Sequence, residues 1–215
     1  MAQQAMQQPE TRARLIGAAI DMVRARGYTA TRVDDVCAEA GVSKGSFFHH
    51  FRSKDDLALA AMEQWQAGSG RLFSGAPYHR SPDPLDRVLG YLAFRKSLLR
   101  GKVPEYTCLA GTMVQEMYDT SPEIRAACER SLLAHARTLE ADIAEAMRAH
   151  GVAGGAAAAR SLALHIQCVV QGGFIFAKAT ESAEIARDGI DHLCRYIALM
   201  FGKRRKKKTP RRAKH

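Results

Sequence analysis

A chain of 215 residues can bury one large hydrophobic core or two small ones. Its 47% apolar and 25% charged composition, with seven prolines and 7% aromatics, excludes a wholly disordered chain and suits a mostly helical one. The net charge of +10 is uneven, because residues 203–215 hold nine Lys and Arg and no acid, so this block reads as a disordered basic tail and leaves +1 for the body.

Residues 1–9 are polar and Gln-rich, without the basic start and apolar run of an export signal. They read as a disordered lead to a cytoplasmic protein. Leu15, Ile16, Ala19, Ile20 and Val23 then recur at helical spacing up to Gly27. Thr31 with Asp34 has the pattern of a capping box for a short helix that ends at Gly41. Ser43 caps a helix over 44–50, and Ser53 with Asp56 opens one over about 54–73. The turn formers between Gly75 and Pro84 mark a domain boundary.

Beyond it, Asp83 and Pro84 start a helix that reaches Gly101, and Thr107 is the expected N-cap of another over about 107–118. Ser121, Pro122 and Glu123 introduce a long helix ending by Gly151, and two more span about 156–180 and 183–201. The expected fold is all-α, with nine helices, no sheet and no internal repeat. Residues 10–54 form its first unit and 55–202 its second, with the 54–73 helix as connector. The segment from Ser161 to Ala177 is broken by His165, Gln167 and Gln171 and falls short of the roughly 20 apolar residues of a membrane span. In the second of the last two helices Ile190, Leu193, Ile197 and Phe201 form a stripe, while Gly172 and Gly173 in the first suggest a close helix crossing or ligand access.

Five widely spaced cysteines, without C-x-x-C or paired-His spacing, read as reduced thiols and imply neither disulfides nor zinc. Cys37, Cys128, Cys168 and Cys194 fall on apolar faces and read as packing. No phosphate loop, H-E-x-x-H, G-x-S-x-G or paired-carboxylate pattern supports an enzyme.

The two short helices joined by Ala40-Gly41-Val42-Ser43 have the spacing and turn chemistry of a helix-turn-helix. Phe47 and Phe51, one turn apart, should face the core. That leaves Lys44, Gly45, Ser46, His49 and parts of Phe48 and His50 outward, a polar face suited to the major groove of DNA.

This segment, Gly41-Val42-Ser43-Lys44-Gly45-Ser46-Phe47-Phe48-His49-His50-Phe51-Arg52-Ser53-Lys54, resembles the recognition segment of the TetR/AcrR family of bacterial regulators. The resemblance implies a homodimeric repressor that reads a palindromic operator in double-stranded DNA through paired helices. It further implies a C-terminal ligand-binding domain that senses a small-molecule or electrophile inducer and so releases the repressor from its operator, with no cofactor, and dimerisation through the last two helices. Carried over, Thr31 or Arg32, Ser43, His49 and Lys54 meet phosphates, while Lys44, Gly45, Ser46 and His50 face the groove floor. Phe48 stands where the family usually has tyrosine, so stacking on sugar or a thymine methyl replaces a hydroxyl contact.

If Thr107 is the N-cap, Cys108 lies in a first helical turn, where the helix dipole favours a thiolate. The phrases around Cys108 and between Gln171 and Lys178 resemble the branch of the family that senses reactive electrophiles, which makes Lys178 the partner of Cys108. Read without that resemblance, Cys108 is equally a small buried hydrophobe and Lys178 a solvated helix-end cation. A third reading, a protein that coats DNA through its basic tail, requires only the charge of residues 203–215.

Overall fold

The computed structural model describes residues 2–202, with side chains from Pro9 onward; the basic run 203–215 lies outside the described residues. Among them are ten α-helices, one 3-10 turn and no strand. They are α1 Ala2–Arg26, α2 Val33–Ala40, α3 Lys44–His50, α4 Lys54–Ser74, α5 Pro84–Ser97, α6 Val103–Tyr106, α7 Leu109–Met117, α8 Pro122–Ala149, α9 Gly155–Thr180 and α10 Glu184–Met200. The 3-10 turn, Pro77–Arg80, lies in the turn-rich segment between α4 and α5.

Side-chain caps fix half of the helix starts. Ser53 accepts the Asp56 N–H at 3.1 Å, Asp83 the Leu85 N–H at 2.9 Å, and Ser121 the Ile124 N–H at 3.4 Å. Three expectations need correction. Helical structure begins at Ala2, not near residue 10, and Pro9 lies within α1. Thr31 is not a cap, since its hydroxyl turns inward and donates to the Gly27 carbonyl at 2.7 Å, leaving Arg32 as the N-cap residue of α2. The helix expected over 107–118 is preceded by a separate turn, α6, which Pro104 helps to start. Thr107 then runs extended, and Cys108 is the N-cap of α7, its Sγ accepting the Gly111 N–H at 3.5 Å.

Two apolar clusters hold the molecule together. The first joins Leu15, Val36, Phe47, Phe51 and Leu57 of α1–α4, but it also takes Leu109 and Met113 from α7 and Ile124 and Cys128 from α8. The second is built on Leu85, Tyr91, Ile143, Ile166, Ile190 and Ile197 from α5 and α8–α10. Cys108 packs against both. By length and composition α9 passes for a membrane span, yet Ile166, Val170 and Phe174 are buried within the second cluster. A Cβ on Gly173 would come within 3.1 Å of Ala186, so this glycine serves the close crossing of α9 and α10, whereas Gly172 has open space. Of the cysteines read as packing, Cys37 and Cys128 are buried and Cys194 half-buried, but Cys168 is exposed.

Candidate DNA-contacting surface and ligand cavities

The turn between α2 and α3 follows from Gly41, whose φ of +62° and ψ of +43° suit a residue without Cβ. Its N–H bonds back to Ala38, the Val42 N–H to Cys37 at 2.9 Å, and Ser43 caps α3 by accepting the Ser46 N–H at 3.2 Å. Arg14 of α1 reaches the freed Ala40 and Gly41 carbonyls and so locks α2 to α1. No local sequence signal announces that contact.

Phe47 and Phe51 are 0% and 2% exposed, which fixes the rotation of α3. Lys44, Gly45, Phe48 and His49 therefore face outward, with Ser46 and His50 half-buried. Phe48 is 54% exposed, a large apolar ring open to a partner. Arg32 and Ser43 are exposed beside this face, whereas Thr31, 2% exposed, presents no side chain to a phosphate.

Two candidate cations are already engaged. Lys44 Nζ lies 2.8 Å from Asp34 Oδ1, and this hydrogen bond raises the ammonium pKa. Lys54 Nζ stands 4.0 Å from the centroid of the Tyr28 ring, and desolvation lowers its pKa although Asp55 and Glu116 oppose. Burial, then His49 and Arg12, lower the pKa of His50.

A cavity of about 460 Å³ lies between α1 of the first half and α4, α5, α8 and α9. Arg24, Arg71 and Arg95 line it against a single carboxylate, Glu105, with Trp65 and Phe174 among its walls. A smaller cavity of about 200 Å³ is lined by Cys108, Thr112 and Lys178, and Cys108 borders both. Lys178 Nζ donates to Thr112 Oγ1 at 2.7 Å, one helical turn from Cys108. The structure thus brings Cys108 and Lys178 to one cavity, with Thr112 as the hydrogen-bond partner of the ammonium. Desolvation lowers the Lys178 pKa, and nearby Glu116 opposes.

Glu116, at the far end of α7, was not singled out from the sequence. Its carboxylate accepts the Tyr28 N–H at 3.0 Å and the Thr29 N–H at 2.8 Å, in the link between α1 and α2. Burial opposes ionisation, but these amides and Lys178 hold the carboxyl below the usual carboxylate range. One helix therefore carries a thiol at its cap, a lysine-bound hydroxyl in its middle, and an acid that holds the loop leading to the helix-turn-helix.

A helix-turn-helix mounted on an all-helical body with an internal cavity defines the class. The model of bacterial regulatory proteins of the tetR family matches residues 15–61, and that of the LmrA/YxaF-like transcriptional regulator C-terminal domain matches residues 84–189. The chain belongs to the TetR family. It is 33% identical over 113 residues to the transcriptional regulator AcuR of Cereibacter sphaeroides, covering 53% of this chain and 52% of that one. It is 26% identical over 123 residues to the transcriptional repressor NemR of Escherichia coli, covering 56% and 61%. The chain thus spans about half the length of these curated relatives. The solved regulatory protein TetR from Rhodobacter sphaeroides superposes with a TM-score of 0.74 at 27% identity, over 86% of this chain and 97% of that one.

Proposed function

We propose that this chain is a sequence-specific DNA-binding transcriptional repressor of the cytoplasm, acting as a homodimer and released from a palindromic operator by a signal received in its second half. The observation that carries the reading is α3, a capped helix pinned by Phe47 and Phe51 with Lys44, Gly45, Phe48 and His49 facing outward. Lys44, Gly45, Ser46 and His50 read the groove, Phe48 packs on sugar or a thymine methyl, and Arg32, Ser43, His49 and Lys54 meet phosphates. Engagement requires Lys44 to exchange Asp34 for DNA. Repression is favoured by the name of the relative NemR.

Dimerisation through α9 and α10 is supported by large apolar side chains that neither helix buries. Phe176 is 55% exposed, Tyr196 50% and Leu199 73%. The signal is an electrophile that alkylates Cys108 or a small molecule in the adjoining cavity. Cys108 is suited to the first role because it caps α7, touches both apolar clusters and shares a cavity with Lys178.

Selection of bound duplexes from a random pool, followed by gel-shift titration, tests the reading. Full-length protein should enrich one inverted repeat, and a chain ending at residue 202 should lose affinity uniformly but keep that sequence. Enrichment of no sequence, or loss of all discrimination on removing the tail, favours DNA coating instead. Cys108→Ser should resist release by N-ethylmaleimide. Release equal to the parent's removes the thiol from the mechanism.

A further inference from the structure

Arg87 and Arg95 lie two turns apart on α5 and are treated differently by the fold. The Arg87 side chain, 14% exposed, is paired with Asp142 at 2.8 Å and also with Glu145. Arg95 has no carboxylate partner among the described residues. Its Nη2 lies 3.3 Å from His135 Nε2, and its guanidinium is held between rings, 4.7 Å from the Phe73 centroid and 5.7 Å from that of Phe174. Its Nε is buried and donates to nothing.

The groups around this cation are neutral. Tyr91 Oη lies 3.0 Å from His135 Nε2 and accepts from Gln167 Nε2 at 3.0 Å, which leaves the Tyr91 proton for the imidazole nitrogen. His135 Nε2 then acts as acceptor for both Tyr91 and Arg95. Burial, and after it the charge of Arg95, pull the His135 pKa down to about 3, so the ring stays uncharged. Ring faces and a neutral imidazole compensate a half-buried guanidinium with a buried Nε poorly, and such a charge is retained at a cost unless an anion completes it.

Arg95 lines the 460 Å³ cavity, where Arg24 and Arg71 add two more positive charges against Glu105 alone. The Arg24 Nε is already donated to the Thr107 carbonyl at 2.9 Å, and its guanidinium stacks on Trp65 at 4.7 Å. Arg71 also lines the cavity, but Arg95 is the guanidinium that the fold holds between two rings and leaves with a buried, unpartnered Nε. Leu72, Leu98, Leu132 and Trp65 supply apolar walls for the rest of a ligand.

We propose that this cavity is an organic-anion site in which Arg95 takes the carboxylate of a ligand with an apolar body, the Gln167–Tyr91–His135 chain holding the guanidinium in place. A guanidinium meets a carboxylate through parallel N–H donors, and aromatic walls exclude the water that would screen the pair. The site deepens the ligand-release reading given above and rests on it for its biological role, although binding itself does not require DNA.

Titration calorimetry on the full-length protein tests the proposal, with benzoate, 3-phenylpropanoate and octanoate as probes and their primary amides as uncharged matches. The parent should prefer at least one carboxylate over its amide by about tenfold or more. Arg95→Gln should abolish that preference while leaving amide affinity within about twofold. If Arg95→Gln fails to give the parent's circular dichroism spectrum, Arg95→Lys serves instead; it keeps the charge but not the fork, and should lose about tenfold on the carboxylate. Equal binding of carboxylate and amide by the parent, an undiminished preference in the folded variant, or no heat from any carboxylate at millimolar concentration overturns the proposal. Carboxylate binding that depends on Arg95 but leaves operator binding unchanged supports the anion site and refutes ligand release.

Discussion

Replacing Glu116 by alanine tests whether α7 physically holds the loop in front of the helix-turn-helix. The carboxylate accepts two backbone N–H groups, from Tyr28 at 3.0 Å and Thr29 at 2.8 Å. A hydrogen bond to a charged group contributes about 1.5–3 kcal/mol. The Thr29 contact is exposed, so that amide returns to water at little cost, whereas the Tyr28 contact is partly buried. One bond's worth of stability is therefore at stake, and partial solvation places the loss near the lower end, at about 1.5–2 kcal/mol.

Urea unfolding followed by circular dichroism, at one fixed protein concentration, should give this difference at pH 7 with unchanged slope. The pH dependence adds a second check. Burial works against the charge, yet the two amides and Lys178 hold the folded-state pKa below the unfolded value of about 4.3. The stabilisation is then full above that value and is lost as pH falls through the folded-state pKa, so parent and variant should converge only once the pH lies below it. A difference under about 0.5 kcal/mol at pH 7, or one that persists in acid, refutes the account.

Asp34→Asn frees Lys44 and removes a negative charge beside the proposed groove contact. Fluorescence anisotropy on a selected duplex should show about two- to tenfold tighter binding at low salt, a gain that shrinks as salt rises; weaker or unchanged binding counts against a groove role for Lys44. His135 resists protonation in the folded chain, with a pKa near 3, while the unfolded chain takes up a proton near 6.5. Its contribution therefore falls as pH drops from about 6.5 towards 3, by up to about 1.4 kcal/mol per pH unit. Urea midpoints at pH 7.5, 6 and 5 should decline less for His135→Gln than for the parent, and equal declines would show that the histidine is not the group responsible.

What the sequence disclosed was local. Gly41, Ser43 and the Phe47–Phe51 spacing each act within one turn of helix, so the helix-turn-helix was legible from residue chemistry alone. Thr31 misled because a Thr-x-x-Asp pattern states only that a cap is possible; the competing acceptor, the Gly27 carbonyl, exists once α1 has ended. Cys108 was displaced by one position for a similar reason, since Thr107 was committed to the buried link between α6 and α7. Cys168 lies in an apolar run that does not turn a single face inward.

The cavity was out of reach because its polar members come from distant segments. Arg95 and His135, which both line it, are 40 residues apart, and the Glu116 contact with Tyr28, outside the cavity, spans 88. A weak signal was nonetheless present: Arg95 interrupts the apolar stripe that runs through Leu92 and Leu99. A charge at such a position requires either a partner or a ligand, and the sequence does not say which.

The sharing of Leu109, Met113, Ile124 and Cys128 with the first apolar cluster bears on how this chain can be recombined. A cut in the turn-rich segment after α4 would separate α1–α4 from side chains that complete their own interior. A chimera that grafts the DNA-facing unit onto another sensor must therefore bring α7 and the first turns of α8 with it, or the recipient must supply side chains of matching volume at those places. The unit of exchange is spatial, and it is not a continuous stretch of sequence.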